Sequence, residues 1–538
     1  MRALLVNPSW PFTFWSFSKT LERDRKETLC TPLGLITLAA LLPTEWELQL
    51  VDRSFQRITE DLWNWAEVIF ISCMIVQRQD TLRVVGQAKQ RGKTVVVGGP
   101  YPSLLPDELI QAGADLVYKG EAEQGLSDLL SALLSGKTGI VFEEKAKPIM
   151  TDSPMPRFDL LDLDAYEIAA IQTSRGCPFE CEFCDVAQIY GRRTRYKEPD
   201  QVISELERLR TLGYKGFVLV SDDNFIGSRK HAMRILRQLI PWIKGCGEPF
   251  SFWTQASANL GNDKELIDLM TEANFSHVFI GIETPDEETL KRYHKYQNVR
   301  DPLSEAVHNI IANGLSVIGS FIIGFDGEQK GIDERICSFV EQLHLSFVMV
   351  NILVAVPGTA LWDRLERENR LLISESHRRS QGDSLNFVPT RPESEIREEF
   401  LNIIDRLYEP SNFLKRTYEC YLTMRPTRKA MASKDENATK VREPVKRVKM
   451  RSFRQDIIIA GGLLWTWGVV SPHRRQFWRQ LVGMRFKNPS RLIAYLGAIA
   501  AGETLIDIRE QILGGTSMVQ VLDPTGDDSL KESFVSEL

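Results

Sequence analysis

The sequence predicts an α/β protein: a flavodoxin-like, doubly wound domain, then a partial (β/α)6 barrel, then a mainly helical C-terminal region. Three observations carry this. Apolar runs alternate with amphipathic helical patterns over residues 1–135. The alternation resumes near residue 169 and repeats six times in about 200 residues, and after residue 385 the strand signal stops. The chain has 538 residues, which at roughly 150 residues per domain suggests three or four units.

The first segment, 1–140, places strands at Arg2–Asn7, Glu47–Asp52, Val68–Cys73, Thr94–Gly99 and Asp115–Tyr118, with helical patterns such as Thr81–Gln90 between them. Strands separated by helices make βαβ units, and their sheet is parallel with both faces covered. Ligands of such sheets bind beyond the strands' carboxyl ends. Those ends here are Asn7-Pro8-Ser9, Asp52-Arg53, Ser72-Cys73-Met74, Gly98-Gly99-Pro100 and Gly120-Glu121. Residues 141–168 read as a linker, with Pro148, Pro154 and Pro156 set among charges.

The barrel segment, 169–384, has strands at Ala169–Thr173, Gly216–Ser221, Ser251–Ala256, His277–Ile282, Ser316–Ile323 and Phe347–Leu353. Helical patterns at Pro199–Leu212, Lys264–Ala273 and Leu303–Asn313 lie between them. Functional side chains of a barrel belong at strand carboxyl ends. Residues 385–538 read as helical, with a basic, flexible insertion near 425–454 and an acidic tail after Asp523. The apolar stretches Ile457–Val470 and Leu492–Ala501 fall short of the ~20 residues that span a bilayer. Core helices are their plain reading. Trp465, Trp467 and Trp478 beside Arg474, Arg475, Arg479, Arg485 and Lys487 also admit peripheral contact with a membrane surface.

Composition narrows the function classes. Hydrophobic content of 43% and charged content of 26% suit a folded soluble protein, and a net charge of −6 gives no sign of a nucleic-acid partner. One basic residue, Arg2, precedes a short apolar run with no small-residue cleavage site, so the N-terminus reads as a strand. A cytoplasmic location is the expectation. Eight cysteines in this length make no disulfide framework. Cys30, Cys73, Cys246, Cys337 and Cys420 are scattered and read as small buried apolar residues.

The other three cysteines lie together. Cys177, Cys181 and Cys184 form C-x3-C-x2-C just after the first barrel strand. Thiolates are the soft ligands that iron–sulfur clusters take. Three of them leave one iron of a [4Fe–4S] cluster open. Zinc would want a fourth Cys or His nearby, and the first histidine is His231.

The motif, with Phe183 before its last cysteine, and the barrel resemble the radical S-adenosylmethionine (SAM) superfamily. The resemblance implies that the amino and carboxylate groups of SAM chelate the open iron. It places Ser221-Asp222-Asp223-Asn224 where the family holds the SAM amino group, Gln255, Ser257 and Glu283 near the ribose, and Gly324 near the adenine. Helix capping or surface charge is the bland alternative for these acids.

The front domain resembles that of the cobalamin-dependent branch. Ser72-Cys73-Met74 and Gly98-Gly99 match segments beside the cobalamin tail there, and Gln77 falls near the lower face. One departure stands out. Residues 1–230 contain no histidine, and the loop that carries the cobalt-ligating histidine elsewhere reads Asn7-Pro8-Ser9-Trp10-Pro11. Either cobalamin binds without a protein imidazole, or the domain does not bind it.

The domain order, ending in Arg474-Arg475-Gln476-Phe477-Trp478, resembles the branch of hopanoid C-2 methylases and bacteriochlorophyll side-chain methylases. That implies radical C-methylation of an unactivated carbon, with a flavodoxin- or ferredoxin-type electron donor. Trp10, Phe12, Phe14, Trp15 and Phe17 hint at a large lipophilic substrate, a polycyclic lipid or tetrapyrrole, although aromatic residues also fill cores. Two other functions remain open: a radical cyclase resembling the oxygen-independent tetrapyrrole cyclase, and a cobalamin- or redox-binding regulator.

Overall fold

The computed structural model describes residues 1–11, 13–372, 385–432 and 461–515. Phe12, most of the basic insertion and the acidic tail lie outside the described residues.

Strands β1 (Arg2–Asn7) and β2 (Thr28–Cys30) open the chain but enter different sheets. The described residues of one unit are Met1–Ser16 and Pro32–Pro148; the other holds Phe17–Thr31 and the described residues from Ile149 onward. Sequence patterning assigns residues 17–31 to the front domain. The structure corrects this: Thr28 pairs with Tyr166 and Cys30 with Ile168, in the second sheet. Three residues are too few for period-two alternation to register.

In the first unit, β3 (Glu47–Asp52), β4 (Val68–Ser72), β5 (Thr94–Gly98), β6 (Leu116–Lys119) and β7 (Ile140–Glu143) join β1 in the order β3-β1-β4-β5-β6-β7. Every pairing is parallel. The continuous apolar runs Leu4–Val6 and Val95–Val97 are buried because helices cover both faces of such a sheet. The strand order reverses at β1, which is the switch point where doubly wound sheets open a ligand crevice. Strand β7 falls in the stretch that sequence reads as linker. It is a half-exposed edge strand, and its apolar run, Ile140-Val141-Phe142, is short and followed at once by Glu143-Glu144-Lys145.

In the second unit, β8 (Tyr166–Ile171), the short hairpin strands β9 (Ser174–Arg175) and β10 (Arg195–Tyr196), β11 (Gly216–Val220), β12 (Phe250–Gln255), β13 (Phe275–Glu283), β14 (Ser316–Ile323) and β15 (Phe347–Ile352) follow. The sheet runs β15-β14-β13-β12-β11-β8-β2, parallel throughout. Its two outer strands are not paired with each other, so the barrel is partial. It has the six expected strands plus β2.

The C-terminal helices Glu393–Tyr408, Pro410–Thr423, Arg474–Lys487 and Leu492–Leu513 complete this unit. Gly502 lets the last helix lie against Phe413, whose ring would stand 1.9 Å from any Cβ there. Trp467 faces the core and donates its indole N–H to Glu503 at 2.8 Å, so it belongs to packing rather than to a docking face. Among the described residues, no helix is long and apolar enough to cross a membrane.

Candidate active site: a thiol loop at the carboxyl end of the barrel

The three cysteines follow β8 on a loop with little freedom. Gly176, at φ 92°, turns the backbone, and a Cβ there would lie 2.8 Å from the Gly191 carbonyl. Only glycine accepts both conditions easily. The Cys177 N–H donates to Gly191 O at 3.3 Å, and the Cys184 N–H to Cys181 O at 3.1 Å.

Asp222 lies at the carboxyl end of β11 and is wholly buried. It accepts from Thr173 N (2.7 Å), Thr173 Oγ1 (2.5 Å), Ser174 N (3.0 Å) and Ser174 Oγ (2.7 Å). Its oxygens are therefore taken up by the strand leading into the thiol loop. These four hydrogen bonds make Asp222 a positioning residue for the start of the thiol loop. Asp223 is more open: its carboxylate accepts from Gly176 N at 2.8 Å, and burial pushes it up to about 7 against that hydrogen bond. Asn224 is buried and exchanges hydrogen bonds with Ser257, Nδ2 to Oγ at 3.1 Å and Oδ1 from N at 3.3 Å. Gln255 is exposed at the end of β12.

Glu283 ends β13 in a left-handed conformation, φ 65°, where the register with β14 shifts. Such a conformation costs a non-glycine residue on the order of 1–3 kcal/mol and persists only when neighbours impose it. Asn298 braces the bend by donating to the Gly281 and Ile282 carbonyls at 2.9 and 3.1 Å. The Glu283 carboxylate is paired with the Lys295 ammonium, both largely buried. A Cβ at Gly281 would stand 2.2 Å from Glu283 Oε1, so that glycine makes room for the pair. Burial works against the Lys295 charge, but the charge and hydrogen bond of Glu283 lead the groups that outweigh it and hold the ammonium charged. Gly324 takes φ 92° and donates its N–H to Glu328 at 2.8 Å.

Sequence reading missed several groups here. Gln297 Nε2 donates to Cys181 Sγ at 3.3 Å, while its Oε1 is buried without a partner. Lys295 Nζ lies 5.7 Å over the Phe183 ring, which also packs 5.9 Å from Phe325 and 6.4 Å from Tyr293. Glu182, between the second and third cysteines, is gripped by Arg364 at 2.7 Å; Arg364 also meets Asp326 at 2.8 Å, and Arg370 meets Asp326 at 2.6 Å. These partners lie more than 100 residues away in sequence, so no local spacing reveals them.

The donor set suits an iron–sulfur cluster. Burial raises the Cys177 and Cys184 thiols, so without metal they stay protonated, and coordination must deprotonate them. The Lys295 cation works partly against that rise at both sulfurs, and the Gln297 amide N–H faces the third, Cys181 Sγ.

In the first unit, the carboxyl-end segments converge on the switch point. Gln77 is buried; its amide donates to Pro8 O at 2.6 Å and Asn7 Oδ1 at 3.2 Å and accepts from Met74 N at 2.9 Å. With its amide engaged in this way, Gln77 ties the loop after β1 to the end of β4. The neighbouring Asp80 is missed by sequence. It accepts from Ser9 N at 2.8 Å and is clamped by Arg53 at 2.8 and 2.9 Å. Gly99, at φ 104°, would bring a Cβ within 2.9 Å of Cys73 O and 3.2 Å of Ser72 Oγ, whereas Gly98 leaves ordinary space before Tyr118. Gly99 thus lets the β5 end pack closely on Ser72 and Cys73 at the end of β4.

Comparison with known proteins agrees with this anatomy. The B12 binding domain family matches residues 25–130, the Radical SAM superfamily 171–339, and a domain of unknown function (DUF4070) 359–517. A hopanoid C-2 methylase of Rhodopseudomonas palustris is 32% identical over 483 residues, covering 89% of this chain and 88% of that protein. The chain belongs to the cobalamin-dependent radical SAM methylase family. An uncharacterised methyltransferase of Synechocystis is 42% identical over 538 residues, covering 100% of this chain and 97% of its own. A bacteriochlorophyllide d C-12(1)-methyltransferase of Chlorobaculum tepidum is 25% identical, covering 72% and 84%. In fold, the protein is similar to the cobalamin-dependent SAM radical enzyme OxsB with aqua-cobalamin bound, at TM-score 0.57 and 16% identity over 99% of this chain and 84% of the other. It is also similar to the radical SAM methyltransferase TsrM of Kitasatospora setae, at TM-score 0.52 and 18% identity over 68% and 78%. The enzyme of this family is a methyltransferase whose cofactors are a [4Fe–4S] cluster, SAM and cobalamin.

Proposed function

We propose that this protein methylates an unactivated carbon of a large lipophilic substrate, a polycyclic lipid or a tetrapyrrole, with Cys177, Cys181 and Cys184 as the cluster ligands. The observation that carries the reading is the three-thiol loop held rigid by the fully engaged Asp222. When bound, the cluster supplies an electron that cleaves SAM, and cobalamin carries the methyl group. The protein's own part is positional. Thr173, Ser174 and Asp222 fix the start of the thiol loop, and Arg364 fixes its middle through Glu182. Asp223 and the Glu283–Lys295 pair are the charged groups offered to SAM, and Gln255, Ser257, Asn224 and Gly324 are its remaining neighbours. In the front domain Ser72, Gly98 and Gly99 form the ledge for the cobalamin tail, held without a protein imidazole because residues 1–230 contain none. The electron arrives from a flavodoxin- or ferredoxin-type donor. The substrate class rests on the hopanoid and bacteriochlorophyllide relatives.

The test is anaerobic reconstitution with iron, sulfide and hydroxocobalamin, followed by turnover with SAM, a reductant, and polycyclic lipids or tetrapyrroles. One bound cobalt and a product heavier by one CH2 unit are expected. A product that loses hydrogen or gains oxygen would move the reading to a cyclase. No 5′-deoxyadenosine with any substrate would leave a regulator.

A further inference from the structure

We infer that the helix Arg474–Lys487, with the exposed apolar residues beside it, docks the enzyme on an anionic lipid surface. The inference does not depend on which substrate is methylated. On this helix Phe477, Gln480 and Met484 are buried and face the core. At 100° per residue, the opposite side gathers Trp478, Val482 and Phe486 together with Arg475, Arg479 and Arg485 within about a third of the circumference. All six are exposed, Phe486 at 79% and Val482 at 51%. The flanking segments add Trp465 at 63% and Ile493 at 79% exposure, with Val469 and Val470 also open.

An ordinary soluble surface scatters such residues singly, whereas here they are concentrated. The charge points the same way. The helix carries Arg474, Arg475, Arg479, Arg485 and Lys487 and no acidic residue, in a protein whose net charge is −6. Among the described residues, no ion pair involves any of the five. A polyanion alone would satisfy the arginines but would leave the Val482, Phe486 and Ile493 side chains in water. An anionic bilayer surface meets both, with phosphates for the arginines and acyl chains for the apolar groups. Trp478 suits such a boundary: its ring is open on one side, and its indole N–H is already satisfied by Gly468 O at 2.9 Å.

The full-length protein, reconstituted with its cofactors, is mixed with vesicles of phosphatidylglycerol and phosphatidylcholine, or of phosphatidylcholine alone, and pelleted. Binding to the anionic vesicles is expected to be about tenfold stronger than to the neutral ones and to weaken in salt. The triple variant Val482→Ser/Phe486→Ser/Ile493→Ser is expected to lose about tenfold or more in vesicle affinity, with melting temperature and iron content unchanged. Arg475→Gln/Arg479→Gln/Arg485→Gln is expected to lose the preference for anionic lipid. Wild-type protein that stays in the supernatant overturns the inference, as does a triple variant that pellets like the wild type. A triple variant that melts lower without vesicles would show the face covered by its own polypeptide. A wild-type dimer that the triple variant abolishes, with no vesicle binding by either, would show a second copy there. Both results overturn the inference.

Discussion

The loop after β1 and the loop after β8 are held by the same device and carry different cargo. In each, a buried carboxylate beyond the neighbouring strand pins the backbone: Asp80, after β4, holds Ser9, and Asp222, after β11, holds Thr173 and Ser174. Each carboxylate is fully engaged, Asp80 by Arg53 and Asp222 by two hydroxyls and two N–H groups. A buried charge without such partners would be strongly destabilising. The difference lies in what the loops present. The second offers three thiols, while the first offers no metal-ligating side chain and is flanked by the exposed Trp10 and Met74. Rigidity is the shared part, and the chemistry resides in the side chains mounted on it.

The largest expected effect comes from removing the cargo. Cys177→Ala, Cys181→Ala or Cys184→Ala should abolish iron binding and 5′-deoxyadenosine formation, while cobalt binding persists. Iron assay and product chromatography check this, and a variant retaining full activity would sink the ligand assignment. Removing the pins comes next. Asp222→Ala strips four donors of their acceptor, at about 1–3 kcal/mol for each buried group left unpaired. Iron loading should fall about tenfold or more as the loop opens. Asp80→Ala should do the mirror experiment, lowering cobalamin affinity about tenfold, or ~1.4 kcal/mol, with iron content untouched. If both variants disturb the same cofactor, the comparison fails.

A smaller effect tests the sulfur environment. Gln297→Leu deletes the N–H that faces Cys181 Sγ. The cluster potential should move to more negative values by on the order of tens of millivolts, because hydrogen bonds to sulfur favour the reduced state. A redox titration followed by electron paramagnetic resonance reads it, with iron content as the control. An unchanged potential would mean that the contact is only packing. At the quiet end of the series, Gly99→Ala should destabilise the first unit by about 1–3 kcal/mol through its left-handed φ and its contact with Cys73, read as a lower melting temperature.

Much of this was legible from local pattern. Apolar runs such as Leu4–Val6 and Val95–Val97, and the spacing of Cys177, Cys181 and Cys184, express physics that acts within a few residues. What local pattern does not carry is non-local. Asp222 was found as an acid at a strand end, but only the fold shows its oxygens occupied by Thr173 and Ser174. Gln77 was found near the crevice, and only the fold shows its amide tied to Pro8 and Met74. Lys295, Gln297 and Arg364 carry no motif of their own. Strand β2 is too short for periodicity, and β7 is a short, half-exposed edge strand that runs straight into charge.

That short strand has a consequence for biogenesis. Residues 17–31 leave the ribosome early, yet their partners come far later. Thr28 and Cys30 wait for Tyr166 and Ile168, Thr31 for the Ala170 N–H, and Arg23 for the Ala500 carbonyl. The segment is a clasp threaded first and fastened last, joining the opening strand of the barrel to the final described helix. Cutting the polypeptide at residue 148 therefore yields no clean pair of halves: one fragment keeps an orphaned edge strand, and the other exposes the bare margin of β8.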